Sequence, residues 1–157
     1  MASRTLPFLD DRLFLVVKAG SFPRAYREEQ CLWLFLPSNR PDTVRPVVEG
    51  WYRRQAWLYL PLRLRQLAQQ VGLGPSRITV RSQKTRWGSC STRGTISLNW
   101  RLMMIPSTLV DYVLTHELCH LQHLDHSARF WALLGKLIPD YRERRSALRK
   151  ASSSLPL

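Results

Sequence analysis

The sequence predicts an α+β chain, on three observations. Two short apolar runs near the N-terminus, Arg12–Gly20 (RLFLVVKAG) and Cys31–Asn39 (CLWLFLPSN), end at Gly or Pro-Ser-Asn and read as strands. Apolar residues between about Pro41 and Val71 recur near helical spacing, with arginines between them. A second pair of strand-like segments then precedes three helical ones. All four histidines fall inside this last part, between His116 and His126.

Each element has a local reason. The two N-terminal strands are close enough to pair across Ser21–Gln30. In the long helix, Pro46 suits a first turn, whereas Pro61 should kink or divide it, and GLGPS (Gly72–Ser76) ends it. RITVRSQ alternates as a strand does. Ser91–Gly94 reads as a turn leading into a strand over Thr95–Trp100. Pro106 fits the first turn of the next helix, with Leu109, Val110, Val113, Leu114, Leu118 and Leu121 as its apolar face. Two further helices are expected over about Ser127–Ile138 and Asp140–Lys150. The organisation expected is N-terminal strands (1–40) packed on a main domain (41–151), with a frayed tail (152–157).

Composition narrows the function classes. Of 157 residues, 24 are basic and 11 acidic, a net charge of +13. Such a balance favours acidic partners such as nucleic acid, bound without sequence preference, an anionic membrane surface or an acidic substrate. Three cysteines, Cys31, Cys90 and Cys119, are too few and too scattered for a disulfide framework. The short Leu13–Val17 run follows two aspartates and does not resemble a secretion signal. These features predict a soluble, cytoplasmic protein without membrane insertion. They leave oligomeric state open.

The chemistry concentrates in HELCHLQHLDHS (His116–Ser127). His116 and His120 are four apart, about 6 Å of helical rise, so both imidazoles leave one face and can grip one metal ion. Glu117 lies about 100° round the axis, beside a water on that metal without being a ligand. Zinc lowers the pKa of a bound water from 15.7 to roughly 7, within reach of a carboxylate general base. Three residues could complete the ligand set. His123 continues the helical face but lies about 10 Å along the axis from His116. Glu143 sits among arginines, where an ion pair is the simpler role. His126 lies just past the expected helix end, within LDHS (Leu124–Ser127), a turn that can swing its imidazole back to the metal, and it fits best.

Together, RWGSC (Arg86–Cys90), GTISLNWRL (Gly94–Leu102), VLTHELCHL (Val113–Leu121), DHSARFW (Asp125–Trp131) and PDYRERR (Pro139–Arg145) resemble the YgjP-like zinc metallopeptidase family, related to SprT-like and WLM proteases. The resemblance covers roughly Val47 to Leu148. It implies a compact zincin-like domain, a small, mainly antiparallel sheet packed on helices with the metal site on a helix. It also implies one zinc ion on His116, His120 and His126, with Glu117 as catalytic base. Asp125 departs from the pattern, where asparagine is expected.

Secondary candidates follow. TISLNW is expected as an edge strand that pairs with an extended protein or peptide substrate, which nominates Thr95, Ser97 and Asn99 as substrate-binding residues. Tyr141 is nominated as an oxyanion donor by analogy with other zincins. Arg86 could orient a carboxylate. Cys119 points away from the metal face and should be core. An alternative to the peptidase is a nucleic-acid-binding protein with a structural zinc, or a protease acting on nucleic-acid-bound proteins.

Overall fold

A computed structural model describes residues 4–157. The first four strands are β1 (Thr5–Phe8), β2 (Asp11–Ala19), β3 (Arg24–Glu28) and β4 (Cys31–Leu36), and they form one sheet in the order β1-β2-β4-β3. The long helix α1 spans Pro41–Val71. It is followed by β5 (Arg77–Arg81), β6 (Gly88–Cys90) and β7 (Thr95–Asn99), which form a second sheet in the order β5-β7-β6. A 3-10 turn (Trp100–Met104) leads into α2 (Ser107–His120), α3 (Ala128–Leu137) and α4 (Tyr141–Ser152). The architecture is α+β, as the sequence predicts. The sheet is split in two, and each half is mixed: β2–β4 and β5–β7 are parallel, the other pairings antiparallel.

The two N-terminal apolar runs are neighbours, but parallel ones. The segment between them carries β3, which turns back to flank β4 on the outside. Its sequence, RAYRE, buries no residue and so gives little apolar signal. The crossing needs a close backbone approach. Gly20 donates to the Leu36 carbonyl, and a Cβ at Gly20 would stand 3.0 Å from that of Phe35.

Pro61 does not divide α1, which runs unbroken for 31 residues. A proline frees the carbonyl four residues earlier. Here that is Trp57, on a side where Trp57, Leu58 and Leu62 are exposed and water can take the hydrogen bond. The opposite side buries Val48, Tyr52, Ala56, Leu60 and Leu64 at the centre of the core. Tyr52 fixes the N-terminal sheet to this helix, since its hydroxyl donates to the Pro7 carbonyl and its ring packs against Phe8, Trp51 and Trp100.

Helix α2 is enclosed from all sides, with ten of its fourteen residues buried. Its start is held from a distance. The β1–β2 turn puts Leu9 in the left-handed region (φ 52°) and presents Asp10 to Ser107, whose amide and hydroxyl donate to the carboxylate at 2.9 and 2.6 Å. Arg63 of α1 forks onto Asp111 at 2.9 and 2.8 Å. Arg144 of α4 pairs with Asp140 and donates to the Thr108 carbonyl. Residues 152–157, expected to fray, lie against the core instead: Leu155 and Leu157 are half-buried, and Arg101 donates to the Leu157 carbonyl. Among the described residues, no helix is long and apolar enough to cross a membrane.

Candidate metal centre

His116 and His120 occupy the last turn and a half of α2, on one face, as the spacing predicts. The helix stops at His120. The main chain tightens through Leu121, Gln122 and His123, whose amides donate back to Leu118 and Cys119, and the following turn carries His126 to the same point. Ser127 then begins α3. The three Nε2 atoms stand 3.2 Å (His116–His120), 3.1 Å (His120–His126) and 3.3 Å (His116–His126) apart.

That triangle fits a metal ion. Tetrahedral zinc with zinc–nitrogen bonds near 2.05 Å holds its nitrogens about 3.3 Å apart. The donor chemistry agrees. His120 Nδ1 lies 2.9 Å from the His123 carbonyl, which can only accept, so Nδ1 carries the hydrogen and Nε2 keeps its lone pair. His116 is held neutral: burial first, then the neighbouring His120, His126 and Arg145, push it from 6.5 down to about 3. Burial lowers His120 as well. Among the described residues, these three are the group of side chains whose donor atoms converge in this way.

Helix α3 supplies the floor. Phe130, fully buried, stacks on His120 with centroids 4.4 Å apart and meets His116 and His126 edge-on. Trp131 stacks on His126. These rings fix the imidazole planes in an apolar setting.

Glu117 is 7 % exposed and points to β6. Gly88 leaves the room it needs, because a Cβ there would stand 3.2 Å from Glu117 Cγ and 3.3 Å from Oε2. Burial raises the Glu117 carboxyl from 4.5 to about 7, and the Arg86 cation draws it part of the way back. In the metal-free protein this places a buried, proton-holding carboxyl beside three converging imidazoles.

The secondary candidates separate. His123 contributes its carbonyl, not its ring, and Glu143 is exposed outside the cluster. Strand β7 is the central strand of its sheet, with β5 on one side and β6 on the other, so it has no free edge for a substrate. Its nominated residues have internal partners. Thr95 donates its amide to Ser91, and Ser97 accepts from Thr79. Asn99 donates to the Gln83 and Arg86 carbonyls and accepts from Arg101. The outer strand is β6, from RWGSC, and its three residues line the metal face. Tyr141 stacks on Trp131, which in turn stacks on His126, and it lines neither the metal face nor the cavity beside it. Tyr112 does line that cavity, and nothing in its sequence neighbourhood marks it as functional. Cys119 is fully buried, and burial pushes its thiol up to about 12.

Comparison with known proteins agrees with this geometry. No curated protein matches the chain. Among solved structures, the metallopeptidase zymogen abylysin of Pyrococcus abyssi superposes with a TM-score of 0.53 at 23 % identity, over 60 % of this chain and 95 % of that one. At that identity the likeness is one of fold. The profile of the YgjP-like metallopeptidase domain matches residues 2–151, nearly the whole chain, histidine cluster included. A family of metallopeptidases implies a bound metal ion, and the converging imidazoles are where this chain offers one. The chain belongs to the YgjP-like metallopeptidase family.

Proposed function

We propose that the protein is a zinc-dependent peptidase in which His116, His120 and His126 hold one zinc ion and Glu117 is the general base. The observation that carries this reading is the triangle of Nε2 atoms, 3.1–3.3 Å on a side, with a buried carboxyl next to it in sequence. When bound, zinc supplies a Lewis acid that polarises a scissile carbonyl and acidifies water. Glu117 takes the proton of the attacking water and returns it to the departing amine nitrogen. Its burial beside the three imidazoles places a carboxyl where it can accept and return that proton. Phe130 and Trp131 keep the imidazoles oriented, and the His123 carbonyl holds the tautomer of His120. The extended substrate lies along the outer edge of β6 rather than on β7, making backbone hydrogen bonds that do not read its sequence.

A structural zinc would call for a fourth protein ligand. The cluster has three among the described residues, which favours a peptidase over a nucleic-acid-binding protein with a closed metal site. Three unpaired cysteines suit a cytoplasmic setting. The test is elemental analysis of protein purified without added metal, joined to proteolysis profiling of wild type and Glu117→Gln. We expect one zinc per chain in both, and a rate at least roughly 100-fold lower in the variant, the span of a lost general base. A Glu117→Gln protein that cleaves at the wild-type rate, or a chain that takes up no zinc, overturns the proposal.

A further inference from the structure

Beside the metal face lies a cavity of about 350 Å³ whose charge the peptidase reading does not use. Arg86, Gly88, His116 and Glu117 form the wall it shares with that face. Three guanidinium groups line it: Arg86 from the segment before β6, and Arg145 and Arg149 one turn apart on α4. Trp87, Val113 and Leu148 make its apolar sides. Arg145 rests over the Trp131 ring at 5.0 Å, which steadies its fork. Trp87 is fixed in turn, since its indole donates to Ser152 at the end of α4.

The three arginines are in no ion pair, although Arg86 lies near enough to Glu117 to act on its charge. The chain has ion pairs at Arg27, Arg40, Arg45, Arg63 and Arg144, but none of Arg86, Arg145 and Arg149 is in one among the described residues. Among the described residues, the only acidic side chain lining the cavity is Glu117, which the proposed reaction employs. Three positive charges in one recess concentrate potential there. Guanidinium forks match a carboxylate in two parallel hydrogen bonds, and apolar walls receive the methylenes of its side chain.

The geometry points to this cavity as the specificity pocket for a carboxylate of the peptide substrate, borne by an acidic side chain near the scissile bond or by the chain terminus. The inference rests on the peptidase reading, because the pocket adjoins the proposed base and a proposed ligand. It makes acidic peptides the preferred substrate class and disfavours lysine or arginine at the same position. A nucleic-acid phosphate is the competing anion. A strand of nucleic acid is tracked by an extended basic groove, and a neighbouring hollow that shares Arg86 and Trp87 adds Lys84 and Arg101. The apolar sides from Val113 and Leu148, which suit methylenes rather than a phosphodiester, favour the carboxylate.

The test uses the zinc-loaded full chain and peptides identical except for Glu, Gln or Lys at each position around the cleaved bond, each made with a free and with an amidated C-terminus. Binding to the Glu117→Gln protein is read in parallel by fluorescence anisotropy. We expect the Glu peptide to exceed the Gln peptide roughly tenfold or more in kcat/KM and in affinity, as for a charge-assisted hydrogen bond. A preference for the free over the amidated terminus supports the same pocket and names the terminus as the source. Arg145→Glu with Arg149→Glu should turn the preference toward Lys. If that pair does not fold, Arg145→Gln with Arg149→Gln should abolish it. Equal constants for Glu and Gln peptides at every position and either terminus, or a Glu preference that survives both pairs of variants, overturns the assignment. So does a single-stranded oligonucleotide that binds through the same arginines more tightly than the Glu peptide. If wild type cuts no peptide, the peptidase reading falls, and the anisotropy comparison alone then decides the pocket.

Discussion

The two ends of α2 are built on opposite terms. At its start, charged groups are matched: Asp10 receives the Ser107 amide and hydroxyl, Arg63 forks onto Asp111, and Arg144 reaches the Thr108 carbonyl while paired with Asp140. Three separate elements converge to satisfy that end. At its finish, three imidazole nitrogens face one another at hydrogen-bonding distance, and a carboxyl is buried at the cost of its ionisation. One helix therefore carries a strongly held end and a poised one. The first gives rigidity, and the second keeps groups whose best partner is a metal or a substrate. Stability given up to keep desolvated groups together is what a functional site looks like in energetic terms.

The largest expected effect breaks the poised end. His126→Ala removes the one imidazole that the turn after α2 delivers, and with it one corner of the Nε2 triangle. Losing a supporting residue of a metal site typically costs 10–100-fold in affinity, and losing a ligand should cost more than about 100-fold. His123→Ala should cost little, because that residue contributes a backbone carbonyl that alanine keeps. Glu143→Ala should also leave affinity nearly unchanged. Competitive titration of zinc against a chelator reads all three. Equal losses at His126 and His123 would contradict the geometry.

The poised end is also the more legible one. His116, Glu117 and His120 share a helical turn, and the LDHS turn, whose serine begins the next helix, carries His126, so each relation is local in the sequence. The matched end is not local. Asp10 and Ser107 are 97 positions apart, and nothing in either segment names the other. The same holds for strand order. RITVRSQ and TISLNW each read as strands, but that β6 covers the second edge of β7 depends on where a three-residue strand docks. Strand β3 is too poorly buried to show in the apolar pattern, and the stacking of Tyr141 is set by Trp131, which lies in a different helix. The arginine pocket joins Arg86 to α4, which only the packing of α4 against α2 brings about.

A second prediction measures what the poised end costs. In metal-free protein, a carboxyl whose folded pKa of about 7 exceeds its ordinary 4.5 binds its proton more tightly when folded. Its stability contribution is thus intact below about pH 4.5 and is lost as pH rises toward 7, by an amount of order 3 kcal/mol. Glu117→Gln has no ionisation to suppress. Denaturant melts of the two proteins in chelator should coincide near pH 4.5, with the variant more stable at pH 8. His116 acts in the other direction, since its folded value near 3 lies below its ordinary 6.5 and metal-free stability falls as pH drops below about 6.5. That slope is common to both proteins and cancels in their difference. A stability difference that does not change with pH would mean that Glu117 is not desolvated as described.

The smallest effect tests the matched end. Asp10 serves α2 as an N-terminal cap although it comes from the β1–β2 turn, and a lost cap typically costs about 1 kcal/mol. Asp10→Ala should therefore lower Tm by about 2–4 °C in a chain of this size. Asp10→Asn keeps an acceptor without the charge, and should recover part of the loss. The pH dependence follows from the cause. The Ser107 hydroxyl and amide hold the Asp10 carboxyl below its ordinary 3.8, so its contribution is present above that value and disappears as pH falls through the lowered one. Wild type and Asp10→Ala should differ at pH 7 and converge in strong acid. Zinc affinity should be nearly the same in both, because the cap lies at the other end of the helix from the imidazoles. A variant that keeps its Tm but loses zinc would mean that the two ends are not independent, and that the N-terminal sheet sets the geometry of the metal site through the length of α2.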